Sequence, residues 1–234
     1  MTIRQQHLSM LDIIILTIIM FGIPIWGSFM NIDELGMNVF AVQEMENFTE
    51  EDNLSTALDE IIQLGLVLAY LYYKKFDFSR LKFNFDKKTI PHALGLFLLC
   101  AAMMDFVTFL LDPQFFADPF TLDLTALSYF FQECNFSLIY VSVLNGFFEE
   151  FFFLGLCLSV RPEQRKYLLL FSLVIRILIH VYQGLPYALV IGLGIGLLFY
   201  FYYEKKAAHN LTAPVVAHIL ADIFGLSIFN YILY

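Results

Sequence analysis

Charged side chains are scarce in this sequence. Only 15% of the 234 residues are Asp, Glu, Lys or Arg, whereas 59% are apolar. A soluble domain carries roughly 25% charged residues, so the composition excludes an ordinary soluble protein and indicates an integral membrane protein. Positive charge is the scarcer sign. The net charge of −9 argues against nucleic-acid binding, which requires a basic face.

Cysteine is also rare. The three cysteines, Cys100, Cys134 and Cys157, lie in apolar stretches, and the sequence has no Cys-x-x-Cys or zinc-finger spacing. This pattern favours buried free thiols over a disulfide framework. No clear small-x-small cleavage site follows the first apolar run, so we interpret that run as a membrane span rather than a signal peptide.

What the sequence has instead is a series of apolar runs. A bilayer core of about 30 Å requires roughly 20 helical residues. Seven runs have about this length: 11–29, 56–73, 92–111, 136–158, 167–183, 185–203 and 211–233. The sequence therefore predicts an all-α, polytopic transmembrane helical bundle of about seven spans. The apolar stretch 125–135 predicts a further helix on the outer surface.

The basic residues predict the orientation of these spans. Twelve of the thirteen are Arg4 and the residues of three loop segments, 74–88, 161–166 and 205–206, which a seven-span chain places on one side. The alternate loops, 30–55 and 112–124, are acidic and contain no basic residue. Since basic loops face the cytoplasm, we expect the N-terminus inside and the C-terminus outside.

Ionisable residues inside the predicted spans are few. At that depth an ionisable group costs at least about 2.5 kcal/mol, so it faces the bundle interior and finds a partner. The residues concerned are Asp105, Glu149, Glu150, Arg176, His180, His218 and Asp222. Asp12, Asp59 and Glu60 lie near predicted span ends, where we expect structural or interfacial roles.

Three of the spans carry polar groups at similar depth. Glu149, His180 and His218 are 12 to 14 residues from the nearest basic loop, or roughly 18–21 Å along a helix. They can therefore meet. Such a cluster suits hydrolysis by activated water, a divalent metal site, a proton or ion pathway, or a polar network that only locks helices together.

Three motifs occur in order on these spans. They are Glu149-Glu150-Phe-Phe-Phe-Leu-Gly155, then His180, then His218-x-x-x-Asp222. Over about 125–230 the sequence resembles the CPBP family, the type II CAAX endopeptidases and bacteriocin-processing membrane proteins also called Abi proteins. That family carries EExxxR, FxxxH and HxxxN/D on successive transmembrane helices. The resemblance implies N-terminal membrane helices with acidic outer loops in 1–124 and a catalytic helical core in 125–234.

The resemblance also implies an activity, an endopeptidase that hydrolyses a peptide bond near the membrane without an acyl-enzyme. Glu149 would activate water with help from His180, and His218 with Asp222 would stabilise the oxyanion or bind a metal. Glu150 would have a supporting role. A divalent metal such as zinc, if present, would be held by Glu149, His180, His218 and Asp222.

The resemblance further implies a location and partners. We expect a multi-pass protein of a bacterial-type cell membrane that contacts the lipid bilayer and a peptide or protein substrate. Family members with this pattern are associated with bacteriocin immunity, peptide maturation or protein anchoring.

Two positions depart from the family motifs. Leu154 stands where EExxxR has arginine, and Arg176 stands where FxxxH has phenylalanine. One interpretation is compensation, in which Arg176 reaches the carboxylate pair from the neighbouring helix, holds Glu150 ionised and leaves Glu149 available as base. The other is a catalytically inactive immunity or scaffold protein.

Asp222 also constrains the chemistry. An asparagine at this position could donate a hydrogen bond to an oxyanion, whereas an ionised aspartate only accepts. We therefore expect Asp222 to stay protonated, to orient His218 or to bind a metal.

Two further patterns concern packing. The Gly-x-x-x-Gly pair Gly192 and Gly196 permits close approach of helices, and we expect it to act within the chain. Five phenylalanines surround the glutamate pair, and we expect most of them to contact the bilayer: Phe147, Phe148, Phe151, Phe152 and Phe153.

Overall fold

The computed structural model of the protein describes residues 7–34, 49–112 and 135–228. These residues form helices joined by short connections. The α-helices are α1 (Met10–Glu34), α2 (Glu50–Tyr73), α3 (Thr89–Leu111), α4 (Phe136–Glu150), α5 (Arg165–His180), α6 (Leu185–Leu189), α7 (Gly196–Lys205) and α8 (Thr212–Phe224). A π-helical turn, Phe151–Leu156, continues α4, and another, Val190–Ile195, joins α6 to α7.

Most of these helices are membrane-spanning candidates. Within the residues that the structure describes, six segments are long and apolar enough to cross a bilayer: Met10–Met30, Glu50–Tyr73, Thr89–Leu111, Phe136–Leu156, Pro162–Gln183 and Leu185–Lys205. The shorter apolar helix α8 follows them. The expected all-α, multi-pass fold of about seven spans is therefore confirmed. The side of the membrane on which each terminus lies stays a prediction.

The second span begins earlier than the sequence predicted. Thr49 and Asp52 form a capping box, in which the Thr49 N–H donates to Asp52 Oδ2 at 3.0 Å and the Asp52 N–H donates to Thr49 Oγ1 at 3.2 Å. Acidic residues in the first turn also interact favourably with the helix dipole. Because α2 starts at Glu50 instead of residue 56, Glu60 lies well inside the helix.

The last helix is shorter than the predicted run 211–233. It ends where Gly225 adopts a φ of 73°, a left-handed conformation that favours glycine. Asp105 of α3 binds the chain beyond this point: Ser227 Oγ donates to its Oδ1 at 2.5 Å, and the Ile228 N–H donates to its Oδ2 at 2.9 Å. Asp105 therefore tethers the segment that follows α8.

Some predictions fall partly or wholly outside the described residues. They are the surface helix at 125–135, the division between 1–124 and 125–234, most of the acidic outer loops, and the thiol of Cys134. Cys100 and Cys157 are buried free thiols, as expected.

The basic loops meet at one end of the bundle. The Leu211 N–H donates to the carbonyl oxygen of Lys82 at 2.9 Å, which joins the loop after α7 to the loop before α3. Arg165 Nη1 lies 3.6 Å from Glu204 Oε1, which joins the start of α5 to the end of α7. These contacts agree with the assignment of the basic loops to one side.

Close glycine contacts set the spacing of the helices that carry the polar motifs. A Cβ at Gly146 of α4 would lie 2.8 Å from Ile219 Cγ1 and 3.0 Å from the Ile219 backbone nitrogen on α8. A Cβ at Gly192 would lie 3.1 Å from the carbonyl oxygen of Leu173 on α5, and one at Gly196 would lie 2.7 Å from Leu173 Cδ2. The Gly-x-x-x-Gly pair therefore packs within the chain, as expected.

The phenylalanines beside the glutamate pair are not bilayer contacts. Four of them have exposed fractions of 3% or less: Phe148, Phe151, Phe152 and Phe153. Phe21 of α1 packs on three of these rings, with centroid distances of 4.9 to 5.5 Å. The expectation of lipid contact is wrong because α1 covers this face of α4 and of the π-helical turn that continues it.

Candidate active site

Arg176 of α5 reaches the end of α4. Its Nη1 and Nη2 donate to the two carboxylate oxygens of Glu150 at 2.9 and 3.1 Å, which makes a bidentate ion pair. Arg176 is 3% exposed and Glu150 is 0% exposed, so the pair is shielded from solvent. The guanidinium carbon also lies 4.1 Å from the ring centroid of Phe153.

Glu149 is engaged much less than Glu150. Its Oε2 lies 3.6 Å from Arg176 Nη1, beyond hydrogen-bond distance. That oxygen is buried and has no hydrogen-bond partner. Glu149 therefore keeps a free acceptor inside the protein, whereas both oxygens of its neighbour are occupied.

His218 of α8 connects the ion pair to Asp222. Its Nδ1 lies 2.8 Å from Glu150 Oε1, and since a carboxylate oxygen accepts, the Nδ1–H donates. Its Nε2 faces Asp222 Oδ1 at 3.5 Å, one helical turn further along α8. The imidazolium is the form of the ring that can donate to both carboxylates.

Asn145 completes this side of the site. Its Nδ2 donates to Asp222 Oδ2 at 2.8 Å. Sequence reasoning missed Asn145, although a polar residue one turn before Glu149 shares its helix face and is a signal in an apolar span. Of the three roles expected for Asp222, this geometry fits best with the orientation of His218.

His180 lies at the C-terminal end of α5. Its Nδ1 is 2.7 Å from the carbonyl oxygen of Arg176, which accepts, so the Nδ1–H donates and the neutral ring keeps its lone pair on Nε2. The ring stacks against Tyr182 with an interplanar angle of 19°. The charge of Glu149 acts on the His180 ring, so both belong to one electrostatic cluster.

These three helices can now be compared with known families. Residues 131–224 match the family described as type II CAAX prenyl endopeptidase, Rce1-like. The match confirms the resemblance to CPBP membrane proteases. We call residues 131–224 the Rce1-like region. No curated protein and no solved structure gives a significant match to the chain.

The Rce1-like region contains all six residues that the sequence predicted for the site. Glu149 and Glu150 come from α4, Arg176 and His180 from α5, and His218 and Asp222 from α8. The contact between Arg176 and the glutamate pair is the one that the compensation interpretation requires. Leu154, at the family's arginine position, is 3% exposed and packs in a hydrophobic cluster.

Glu60 lies outside the Rce1-like region but belongs to the same cluster. Its side chain is 6% exposed, which contradicts the expected interfacial position, and its buried Oε2 has no hydrogen-bond partner. The charged groups that act on it are Glu149, Asp222 and His218. Sequence reasoning missed Glu60 because it began α2 at residue 56. That start placed Glu60 about one turn inside the span, near the membrane surface.

Within the described residues, the side chains that lie close enough to share a metal ion are not the predicted set of ligands, Glu149, His180, His218 and Asp222. Ligand atoms of Glu149, Glu150 and His218 lie within 4.8 Å of one another. However, Glu150 and His218 are bonded to each other, and Arg176 occupies both oxygens of Glu150. A cation at this point would compete with the guanidinium, so the donor set fits a metal poorly in this arrangement.

Proposed function

We propose that the protein is an intramembrane endopeptidase that hydrolyses a peptide bond with water activated by Glu149. The supporting observation is the contrast between two adjacent glutamates. The oxygens of Glu150 accept from Arg176 and His218, whereas Oε2 of Glu149 is buried without a hydrogen-bond donor. A general base needs a free acceptor within reach of the proton that it removes, and Glu149 has one.

His180 assists in this proposal. With its Nδ1–H donated to a backbone carbonyl, the neutral ring offers Nε2 as an acceptor. Through Nε2 it can accept a hydrogen bond from the attacking water while Glu149 takes the other proton of that water. Glu149 can then return this proton to the amine that leaves when the peptide bond breaks.

His218 stabilises the oxyanion in this proposal. Its Nδ1–H is held by Glu150, and its Nε2 side is oriented by Asp222. Asp222 is fixed in turn by the amide of Asn145. Nε2 lies 3.5 Å from Asp222 Oδ1, too far for a strong hydrogen bond, so its N–H can donate instead to the developing negative charge, as acyl-transfer sites require. The amide that the HxxxN form of the motif carries on its third helix is here supplied from α4.

Arg176 has a supporting role, because it neutralises Glu150 and fixes it. This contact from the neighbouring helix replaces the arginine that EExxxR carries on the same helix. Peptide maturation or bacteriocin immunity is the expected biological setting of such an enzyme.

The test uses the full-length protein in proteoliposomes with two probes. One is a prenylated peptide ending in a CAAX sequence, and the other is a defined mixture of lipidated hydrophobic peptides. Products are identified by mass spectrometry in ¹⁸O-water, which labels the new carboxyl group. Glu149→Gln should lower the rate by about 10²- to 10⁴-fold, the usual contribution of a general base.

Other outcomes separate the alternatives. Equal cleavage by the wild-type protein and Glu149→Gln would overturn the proposal. Protection of cells from a bacteriocin that survives Glu149→Gln, His180→Ala and His218→Ala would favour the inactive immunity or scaffold protein. Cleavage that a chelator abolishes and zinc restores would favour a metal-bound water.

A further inference from the structure

Glu60 is the one acidic residue of the cluster that the three motifs do not include. It lies ten residues along α2, about 15 Å from the start of the helix. Buried carboxyl oxygens are rarely left without a partner, because a buried polar atom that lacks a hydrogen bond destabilises the folded protein. The bare Oε2 of Glu60 therefore indicates a group that arrives from elsewhere.

The surface of α2 around Glu60 faces the bundle. Asn53, Glu60 and Gln63 are 6%, 6% and 7% exposed, and α2 packs along α4. Asn53 is accounted for, because its Nδ2 donates to Ser137 Oγ of α4 at 3.2 Å. Glu60 Oε2 has no such partner on α4.

The second bare oxygen of the site is Oε2 of Glu149, whose charge acts directly on Glu60. Two buried carboxyl groups of one cluster repel each other when both are ionised and no donor lies between them. The positive groups of the cluster are Arg176 and the imidazolium of His218. Nη1 and Nη2 of Arg176 are already committed to Glu150, and the two ring nitrogens of His218 face Glu150 and Asp222. The α2 side of the cluster thus has acceptors in excess of donors.

We propose that Glu60, beside the general base Glu149, is a subsite for a cationic side chain of the substrate, a lysine or arginine next to the bond that is cleaved. This inference rests on the proposed function. A lysine or arginine supplies an N–H donor for the bare oxygen of Glu60, which leaves Oε2 of Glu149 free to activate water, and it carries an apolar stem that suits passage between helices.

A basic side chain fits this place better than a bound metal ion. The carboxylates that approach a common point include Glu150, whose guanidinium partner opposes a second cation. A cationic side chain needs contact only with Glu60 of α2, whereas Oε2 of Glu149 lies 3.6 Å from Arg176 Nη1. It also arrives with the substrate and neutralises the excess negative charge in the complex. The excess charge therefore favours substrates with a basic side chain over neutral ones.

The test compares twin peptides on the full-length protein in proteoliposomes. One probe is a lipidated alanine–leucine peptide with a single central arginine, and its twin carries citrulline, a neutral side chain of nearly the same shape. The wild-type protein should prefer arginine by about tenfold or more in kcat/KM, the size expected for a hydrogen-bonded charge. Glu60→Gln should reduce this preference to near one, because the arginine twin loses its partner and the citrulline twin has no charge to lose.

Two further variants control for structural effects. Asp59→Asn removes the same charge from the neighbouring exposed position and should keep the arginine preference. Glu60→Asp keeps the charge and should retain a reduced preference even if Glu60→Gln folds poorly.

Three results would overturn the subsite. They are an arginine preference that Glu60→Gln leaves intact, no arginine preference in the wild-type protein, and an equal loss of rate for both twins in Glu60→Gln, which would make Glu60 a positioning residue. If neither twin is cleaved, binding of fluorescent twins decides. Tighter arginine binding that requires Glu60 would support the subsite while the proposed hydrolysis fails.

Discussion

The two sides of α4 differ in how their polar groups are satisfied. On the side of α5 and α8, Arg176, Glu150, His218, Asp222 and Asn145 form a continuous chain of contacts between 2.8 and 3.5 Å. By contrast, Glu60 of α2 and Glu149 of α4 each keep a buried oxygen without a hydrogen-bond partner. The contrast separates a closed network that holds the helices from an open pair that is available for chemistry.

This difference explains why the adjacent residues Glu149 and Glu150 have different roles. A carboxylate that accepts three hydrogen bonds is fixed but has little capacity to take a proton from water. A buried carboxylate with a bare oxygen is costly to keep, and such groups are concentrated at functional sites. The following predictions test the contrast, from the largest expected effect to the smallest.

Exchange of the two glutamates for glutamine should give opposite results. Glu149→Gln should lose about 10²- to 10⁴-fold in activity with little change in thermal stability. Glu150→Gln should lower the stability by several kcal/mol, because it leaves Arg176 buried without its carboxylate. Peptide cleavage and thermal unfolding in detergent check both variants. Equal behaviour of the two would remove the contrast.

Removal of the arginine should open the closed network. Arg176→Leu leaves Glu150 as an uncompensated buried charge and should cost about 3–5 kcal/mol of stability. The matched control is Arg165→Leu, since Arg165 is 31% exposed and its ion pair should contribute at most about 1 kcal/mol. Unfolding is followed by scanning fluorimetry.

A paired substitution then tests compensation. Leu154→Arg together with Arg176→Phe restores the arginine and phenylalanine of the family motifs. If the guanidinium can neutralise Glu150 from either α4 or α5, the double variant should recover part of the stability and activity that Arg176→Phe loses. A double variant no better than Arg176→Phe argues against interchangeable positions.

Separation of α4 from α8 should weaken the same network. Gly146→Ala forces a methyl group to within 2.8 Å of Ile219 Cγ1 and 3.0 Å of the Ile219 backbone nitrogen. Overpacking of this kind costs about 1–3 kcal/mol. Gly95→Ala on α3 is the control, because a Cβ there meets nothing within 4 Å. Comparable losses at both glycines would contradict the close contact.

The smallest expected effect concerns the amide that holds Asp222. Asn145→Leu removes the 2.8 Å hydrogen bond to Asp222 Oδ2 and should cost about 1–2 kcal/mol. Activity should fall through kcat more than through KM, since His218 loses its orientation. The control is Ser142→Ala, about one helical turn before Asn145 on α4. It should leave kcat unchanged, because Ser142 Oγ has no hydrogen-bond partner.

Much of the fold was predictable because membrane spans depend on hydropathy and length alone. The apolar runs matched the observed helices closely from α3 to α7. Boundaries failed where local polar chemistry decides them, as at the capping box that extends α2 and the left-handed glycine that ends α8. The buried phenylalanines were misjudged, since an apolar side chain in a span can face lipid or protein equally well.

The site residues were predictable as a set, because ionisable groups at matched depths on successive spans have few alternatives to meeting one another. Their pairing does not follow from the spacing, and the pair of Arg176 with Glu150 was expected only in the compensation interpretation of the family motifs. Nothing in the spacing distinguishes Glu149 from Glu150 as the partner of Arg176, and nothing brings Asn145 to Asp222. Those contacts depend on how each helix is rotated about its axis, which close glycine contacts and the π-helical turn after Glu150 influence.

The sequence by itself thus determined a multi-pass helical protein with a polar cluster on three named helices, since burial in lipid leaves backbone and charged groups few choices. The tertiary structure decided that Arg176 neutralises Glu150, as the compensation interpretation expected, and it alone decided that Glu149 keeps a bare oxygen and that Glu60 from α2 joins the cluster. These are matters of distances of a few ångströms between helices, which only their packing sets.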